Sequence, residues 1–570
     1  MYCHQSITLC SLALFWFGSL SPASASAVPH HNAPSAHTVN GTYTGLNLET
    51  FNQEAFYGIP FATPPLGELR LRYPLPYNQS WKGSRNATVR SDSCPGFDKP
   101  FAQGFADGLT MGEDCLTLDI VRPANVKPGD NLPVFFWIYG GGFKAGGSAD
   151  PRYNTSFMVR NSMDMKKPII AVVPNYRTSA FGLLASKEVA AAGVGNIALF
   201  DQRLAMEWVS ENIRAFGGDP SKVTIAGESA GGSSAGYQLV AFKGKNNGLF
   251  RSAILESSSL LGASMNTVET LNVTYQGWYD NITTTVGCNT AADSLACLRT
   301  VPYAKLFSAV NGFQFKPYID GKFISQPPSV SIAKGEIADV ALIMGSNTDE
   351  GTAEFFTPRG TLNNDSDISS LVAHLGGGLN DTVVANILRL YPDDPIQGCP
   401  FGTGPERFAD QGFQFKRGAA ISGDVNIHAG RRAYAVDHSQ RSKHPIYTYR
   451  FDQAPWNMQE VDVTTTAPVY VTHYTEIVHV FDNPDKNVNW IGPYPIISEL
   501  ASFVSRSWVS FIHDQNPNNH GLQGKPVWPK YDTSNPQNIV FRAGASWVEK
   551  DDYRKPQLAY WSKLWSELMT

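Results

Sequence analysis

The sequence predicts an α/β fold in which a mostly parallel sheet is covered by helices. Its longest apolar runs are continuous rather than alternating, they stop at glycines, and segments of helical period lie between them. A strand that is apolar at every position is buried on both faces, and strand–helix–strand order implies right-handed crossovers into one sheet.

The elements follow in order. Leu132 to Tyr139 (LPVFFWIY) is a strand that stops at three glycines, and Pro168 to Pro174 (PIIAVVP) is the next. Ile197 to Phe216 carries Leu199, Met206, Trp208, Val209 and Ile213 near a 3.6-residue period, and Gly217-Gly218 supplies a left-handed cap. Val223 to Ala226 (VTIA) and Val340 to Met344 (VALIM) complete the set of strands. Neither a repeat nor a low-complexity linker interrupts the chain, so a single large domain over residues 28–570 is expected.

Composition narrows the class. With 570 residues, 42% hydrophobic and 17% charged, the chain is long and apolar enough to bury a large core. Lys plus Arg number 45 against 50 Asp plus Glu, with no long basic run, which argues against nucleic acid as a partner. Beyond the N-terminus no apolar stretch is long enough to span a bilayer, so no integral membrane segment is expected in the mature chain.

Residues Ile7 to Leu20 form an apolar run followed by SPASASAVP, the pattern of a signal peptide cut after Ala25 or Ala27. Its leading segment has His4 but no Lys or Arg. The C-terminal KLWSELMT carries no retention signal or lipid-anchor pattern, and a secreted protein is expected. Two cysteines, Cys3 and Cys10, leave with the signal. Of the rest, Cys94 with Cys115 and Cys288 with Cys297 are close pairs suited to stapling local loops, and Cys399 is read as a buried free thiol. Eight sequons, at Asn40, Asn78, Asn86, Asn154, Asn272, Asn281, Asn364 and Asn380, make a glycoprotein with these positions on its surface.

The chemistry is concentrated after two strands. Gly227-Glu228-Ser229-Ala230-Gly231-Gly232 follows VTIA and precedes a helical SSAGYQLVAF, which is the setting of a G-x-S-x-G nucleophile elbow. Glycines are needed there because side chains would collide with neighbouring backbone at so sharp a turn, and the helix aims its positive end at the serine. Gly140-Gly141-Gly142 follows LPVFFWIY without the G-K-[ST] of a phosphate loop. Its amides suit an oxyanion hole, worth ~3 kcal/mol per donor; Gly141, Gly142 and Ala230 are assigned to it.

At this point the chain resembles the type-B carboxylesterases, the cholinesterase and fungal-lipase branch of the α/β-hydrolases. The likeness runs through YGIPFATPPLGELRLRYP (57–74), EDCLTLDIVRP (113–123), WIYGGGF (137–143) and PNYRTSAFGLLA (174–185). It is densest over 193–235. The resemblance implies the α/β-hydrolase fold in one catalytic domain, pairing of Cys94 with Cys115 and of Cys288 with Cys297, and a Ser-Glu-His triad. In GSNTDEG (345–351) spacing alone does not choose between Asp349 and Glu350; the resemblance selects Glu350 as the acid. Among twelve histidines, His30, His31 and His37 sit in a polar segment read as preceding the fold, and the family's histidine loop matches HYTEIVHVF (473–481). It implies His473 as base and leaves His479 structural. Their spacing is not H-E-x-x-H, and neither metal nor cofactor is implied. Glu228 is open between an electrostatic and a structural role.

These assignments imply hydrolysis of a small-molecule or lipid-like ester through an acyl-enzyme, with activity falling on acidification as the base protonates. The loop between Cys94 and Cys115 has Phe97, Phe101 and Phe105 but no Trp, which argues against choline esters, whose cation stacks on such a ring in the family. That loop also looks shorter than the flap of the fungal lipases. An esterase is therefore favoured over a triacylglycerol lipase with interfacial activation. A non-catalytic, cholinesterase-like binding or adhesion protein is disfavoured because every triad position is filled.

Overall fold

The computed structural model describes residues 33–97, 109–261, 270–375, 379–456, 470–485, 488 and 490–568. Among the described residues eleven strands form the main sheet: β1 (Leu46–Leu48), β2 (Gln53–Pro60), β3 (Thr117–Pro123), β4 (Leu132–Ile138), β5 (Ile170–Pro174), β6 (Gly218–Glu228), β7 (Ser252–Glu256), β8 (Ala341–Asn347), β9 (Ile446–Phe451), β10 (Gln537–Phe541) and β11 (Trp547–Lys550). Their spatial order is β11-β10-β9-β8-β7-β6-β4-β5-β3-β2-β1. Neighbours are parallel from β5 through β10, and the flanking β1, β2, β3 and β11 pair antiparallel. The apolar runs lie where burial on both faces demands them, β5, β7 and β8 being buried at every residue.

Four helices position the site: α1 (Thr155–Asp164), α2 (Ile197–Asn212), α3 (Ala230–Val240) and α4 (Pro495–Asp514). The segment read as one helix to Phe216 is α2 followed by a 3₁₀ turn, Ile213–Phe216, which Gly217 closes at φ 87°. Tightening at a helix end lets the last carbonyls find donors within a shorter ring. β6 starts at Gly218, five residues ahead of the apolar VTIA core, because its first half lies half-buried beside Leu132.

Two apolar clusters meet at Leu261. The larger wraps the sheet around Trp137 and Trp508, and the smaller gathers Leu362 with Ile387, Ile421, Trp561 and Trp565 of later helices. The fold also begins earlier than the polar N-terminal reading implies. Ser35–His37 pairs with Thr42–Thr44 in a small separate sheet, so His37 lies in a strand and its Nδ1 is 2.9 Å from Thr42 Oγ1. Alternation explains it, since Ala36 and Tyr43 point inward while their neighbours face water. Among the described residues no helix is long and apolar enough to cross a membrane.

Candidate active site

The sheet order reverses at one place. The chain leaves β4 towards β5 on one side, whereas it leaves β6 towards β7 on the other, so a crevice opens between the carboxyl ends of β4 and β6. The triple glycine follows the first of these strands and Ser229 the second.

Ser229 occupies a conformation that L-residues avoid, φ 55° and ψ −122°. Its amide donates to Glu256 O at the end of β7 (3.0 Å). The elbow is packed too tightly for side chains. A Cβ on Gly231 would overlap the Ile138 carbonyl, and one on Gly140 would sit 2.7 Å from Glu228 O and 3.2 Å from Ser229 Cβ. Gly141 and Gly142 turn with φ 101° and 63°. Ala230 heads α3, and a first-turn amide has no helical carbonyl to bond. The three residues assigned to the oxyanion hole thus border the same crevice as Ser229.

His473 follows β9 in the chain and Glu350 follows β8. His473 Nδ1 is 2.6 Å from Glu350 Oε2, and both side chains are buried. Glu350 Oε1 accepts the Asn347 amide (2.7 Å), while Asn347 Nδ2 donates to Thr472 O (2.7 Å), which ties the acid's turn to the histidine's loop. Asp349 faces elsewhere: it accepts the amides of Phe401 (2.9 Å) and Val471 (3.2 Å), and burial lifts it to about 6. Of the adjacent carboxylates, only Glu350 reaches the imidazole. Tyr474, next to the histidine, is itself held at φ 78°.

Glu228 brings Ser229 and His473 to one place. Its Oε1 lies 3.1 Å from His473 Nε2, in a contact too poorly angled to be a hydrogen bond. Burial, then the charges of Glu476, Glu350 and Glu256, push its carboxyl well above the usual range. Glu256 is raised likewise by burial and Glu476, and accepts from Trp508 Nε1 (2.7 Å). Glu476 is raised to about 7, first by burial and then by Glu350, and accepts from Ser257 Oγ (2.9 Å) and Asn347 Nδ2 (2.6 Å). Phe355 and Phe356 set their rings edge-on to His473, with centroids 5.3 and 5.1 Å away. Sequence reasoning missed Glu256, Glu476 and this aromatic pair; the one available signal was Glu476 lying a helical turn beyond His473. His479 is buried against Phe451 and burial lowers it to about 3, away from Glu350.

Cys94 is bonded to Cys115 and Cys288 to Cys297, whereas Cys399 is a buried thiol against Asp349. Phe97 donates its amide to Lys144 O (2.9 Å) beside the triple glycine; Phe101 and Phe105 lie outside the described residues, as do the signal segment and both cleavage positions. Asn78, Asn86, Asn272, Asn281, Asn364 and Asn380 are exposed, and Asn40 and Asn154 half-buried. Among the described residues no group of three or more His, Cys, Asp or Glu is placed to hold a metal ion.

A model of the carboxylesterase family matches residues 32–561. Lipase 4 of Diutina rugosa is 35% identical over 558 residues, covering 92% of this chain and 94% of that protein. Secreted lipase 1 of Botryotinia fuckeliana is 34% identical, covering 93% and 91%. A secreted triacylglycerol lipase of Gibberella zeae is 32% identical, covering 88% and 86%. The crystal structure of Aspergillus niger EstA superposes with a TM-score of 0.80 over 94% of this chain and 99% of that one at 24% identity, a likeness of fold.

Proposed function

The chain belongs to the carboxylesterase family and is a carboxylic ester hydrolase, and from that premise we propose that Ser229, His473 and Glu350 carry its reaction as nucleophile, base and orienting acid. The observation that carries this reading is the 2.6 Å contact of His473 Nδ1 with Glu350 Oε2, made beside the strained Ser229. A carboxylate on Nδ1 fixes the tautomer in which Nε2 accepts the serine proton, and it stabilises the imidazolium that forms. As Ser229 Oγ adds to the ester carbonyl, the negative oxygen is held by the amides of Gly141, Gly142 and Ala230. His473 gives its proton to the departing alcohol, then takes one from the water that releases the acid from the acyl-enzyme.

Secretion fits the small-residue pattern before Ala27, the two disulfides and the names of two of the relatives. The lipase names favour a second reading, and that of the Gibberella zeae relative makes it a lipase acting on triacylglycerols.

The test is a ladder of acyl chain lengths on one chromogenic alcohol, below and above the solubility limit, with Ser229→Ala as control. Short- or medium-chain turnover in true solution supports the esterase. Long-chain turnover that rises once droplets form supports the lipase, and turnover unchanged by Ser229→Ala removes the triad.

A further inference from the structure

The turn that follows the triple glycine carries a cation. Phe143 is held at φ 59°, and its carbonyl accepts the Ser179 amide (2.7 Å). Lys144 then donates its amide to Gly141 O (2.9 Å) and accepts the Phe97 amide at its carbonyl (2.9 Å), so its backbone is tied on both sides. The side chain bends back over the glycines. A Cβ placed on Gly142 would meet nothing nearer than 3.9 Å beyond its chain neighbours, and what it meets there is Lys144 Cγ and Cδ and Gln314 Nε2. The open face of Gly142 is therefore rimmed by two side chains that donate hydrogen bonds. Lys144 Nζ itself lies 5.3 Å from the centre of the Phe97 ring.

A second cation comes from the segment that covers this loop. Lys316 stands two residues beyond Gln314. Between them Phe315 is buried against Tyr275 and Trp278, with centroids 5.1 and 5.3 Å away, and the Lys316 amide donates to the Tyr275 hydroxyl (3.0 Å). Lys316 is half-buried and near enough for its charge to bear on Lys144. Neither the Gln314 side chain nor the Lys316 ammonium makes a hydrogen bond or ion pair among the described residues. Burial and then the Lys316 charge lower Lys144 to about 8, and burial lowers Lys316. Both ammonium groups thus stand where their surroundings disfavour charge, and an anion between them relieves desolvation and repulsion together. A side chain needed only to cover the Phe97 ring would serve as well without its charge.

We propose that Lys144, Lys316 and Gln314 select esters that carry a carboxylate, holding that anion beside the oxyanion hole while Ser229 attacks the ester carbonyl. The inference rests on the assignment of Gly142 to that hole, and it narrows the substrate class of the same site. A half-ester of a dicarboxylic acid has this form, as does an ester of a hydroxy acid, and the cations recognise the group the two share. These side chains set specificity and take no part in breaking the ester bond.

The test compares kcat/KM for the monoethyl esters of glutaric, adipic and suberic acids with ethyl pentanoate, hexanoate and octanoate, whose acyl chains match them in length. A second arm sets the hexanoate ester of γ-hydroxybutyrate against butyl hexanoate. All esters are kept below their solubility limits. The anionic ester is expected to be favoured about tenfold or more in one arm, which shows whether the anion rides on the acid or on the alcohol. In Lys144→Met and in Lys316→Met that ratio should fall by about tenfold. Because each ratio is taken within one preparation, any loss of folded protein cancels. A parent that favours the anionic ester in no pair overturns the proposal, as does a preference that persists in either variant. If Ser229→Ala abolishes turnover in those cases, the triad stands and this proposal alone falls. Turnover that survives Ser229→Ala overturns the triad reading and the proposal with it.

Discussion

Two buried polar regions of this molecule use the same functional group to opposite ends. Around His473, the carboxyls of Glu228, Glu256, Glu350 and Glu476 crowd one another with few cations between them. Near the sheet's far edge, Asp551 meets Arg431 (2.7 and 2.8 Å) and Arg432 (2.8 Å), and also accepts from Tyr531 (2.8 Å) and Asn538 (3.1 Å). Burial raises Glu228, Glu256, Glu476 and Asp551 alike. At Asp551 the guanidinium charges outweigh it and hold the carboxyl far below its ordinary range; at the site neighbouring acids add to it. The first arrangement ties β10 and β11 to a helix. The second raises Glu228, Glu256 and Glu476 above the ordinary carboxylate range beside His473, and such perturbed groups cluster at functional sites.

The largest expected effect separates the two regions outright. Ser229→Ala should lower kcat by about 10⁶ while leaving the melting temperature in place; a large fall in melting temperature would mean that the crevice also carries stability. Glu350→Gln should lower kcat about 10⁴-fold, because the amide favours the wrong histidine tautomer, and an equal loss from Asp349→Asn would overturn the choice between the neighbours. Asp551→Ala leaves the buried Arg431 and half-buried Arg432 guanidinium groups without their carboxylate and should cost about 3–5 kcal/mol in urea unfolding. Its kcat/KM in the cold should match the parent's, and a matching loss of activity would break the separation.

The smallest effect is one of sign. Glu476, raised to about 7 from its ordinary 4.5, contributes stability that is full below 4.5 and lost as pH rises towards 7. The Asp551 contribution runs the other way: it is full above its ordinary 3.8 and is lost only on deeper acidification. Unfolding at pH 5 and pH 7.5 should therefore differ less in Glu476→Gln than in the parent. An unaltered slope would place the acidic response elsewhere.

How far these regions were legible depends on what makes each one. Strands β4, β5, β6 and β8 announce themselves because burial on both faces forbids polar residues along a run. The antiparallel β1, β2, β3 and β11 pass unread: β1 and β11 are short and half-exposed, and β2 and β3 carry buried charges such as Glu54 and Arg122 that mask the apolar pattern. At the site, Ser229 and the glycines are dictated by local backbone and so stand in adjacent positions. The acidic cluster is not local. Glu228, Glu256, Glu350 and Glu476 come from four different strand ends and loops, and only the sheet order brings them together. Asp349 and Glu350 are neighbours in sequence, and the turn that begins at Glu350 sends their side chains apart.

The sheet order has a kinetic consequence. Glu350 and His473 stand 123 residues apart in the chain, and the strand leading to the histidine is itself flanked by β10, the last of the parallel strands to be made. With the proposed triad, a nascent chain that has emerged through Ser229 is inert, since the histidine proposed as its base has yet to be synthesised. Contacts between such distant segments form late because the intervening chain must be closed first. Hydrolysis thus reports the final steps of assembly: on refolding, helical signal should recover ahead of turnover, and an esterase passing through a secretory compartment is switched on only by its own completion.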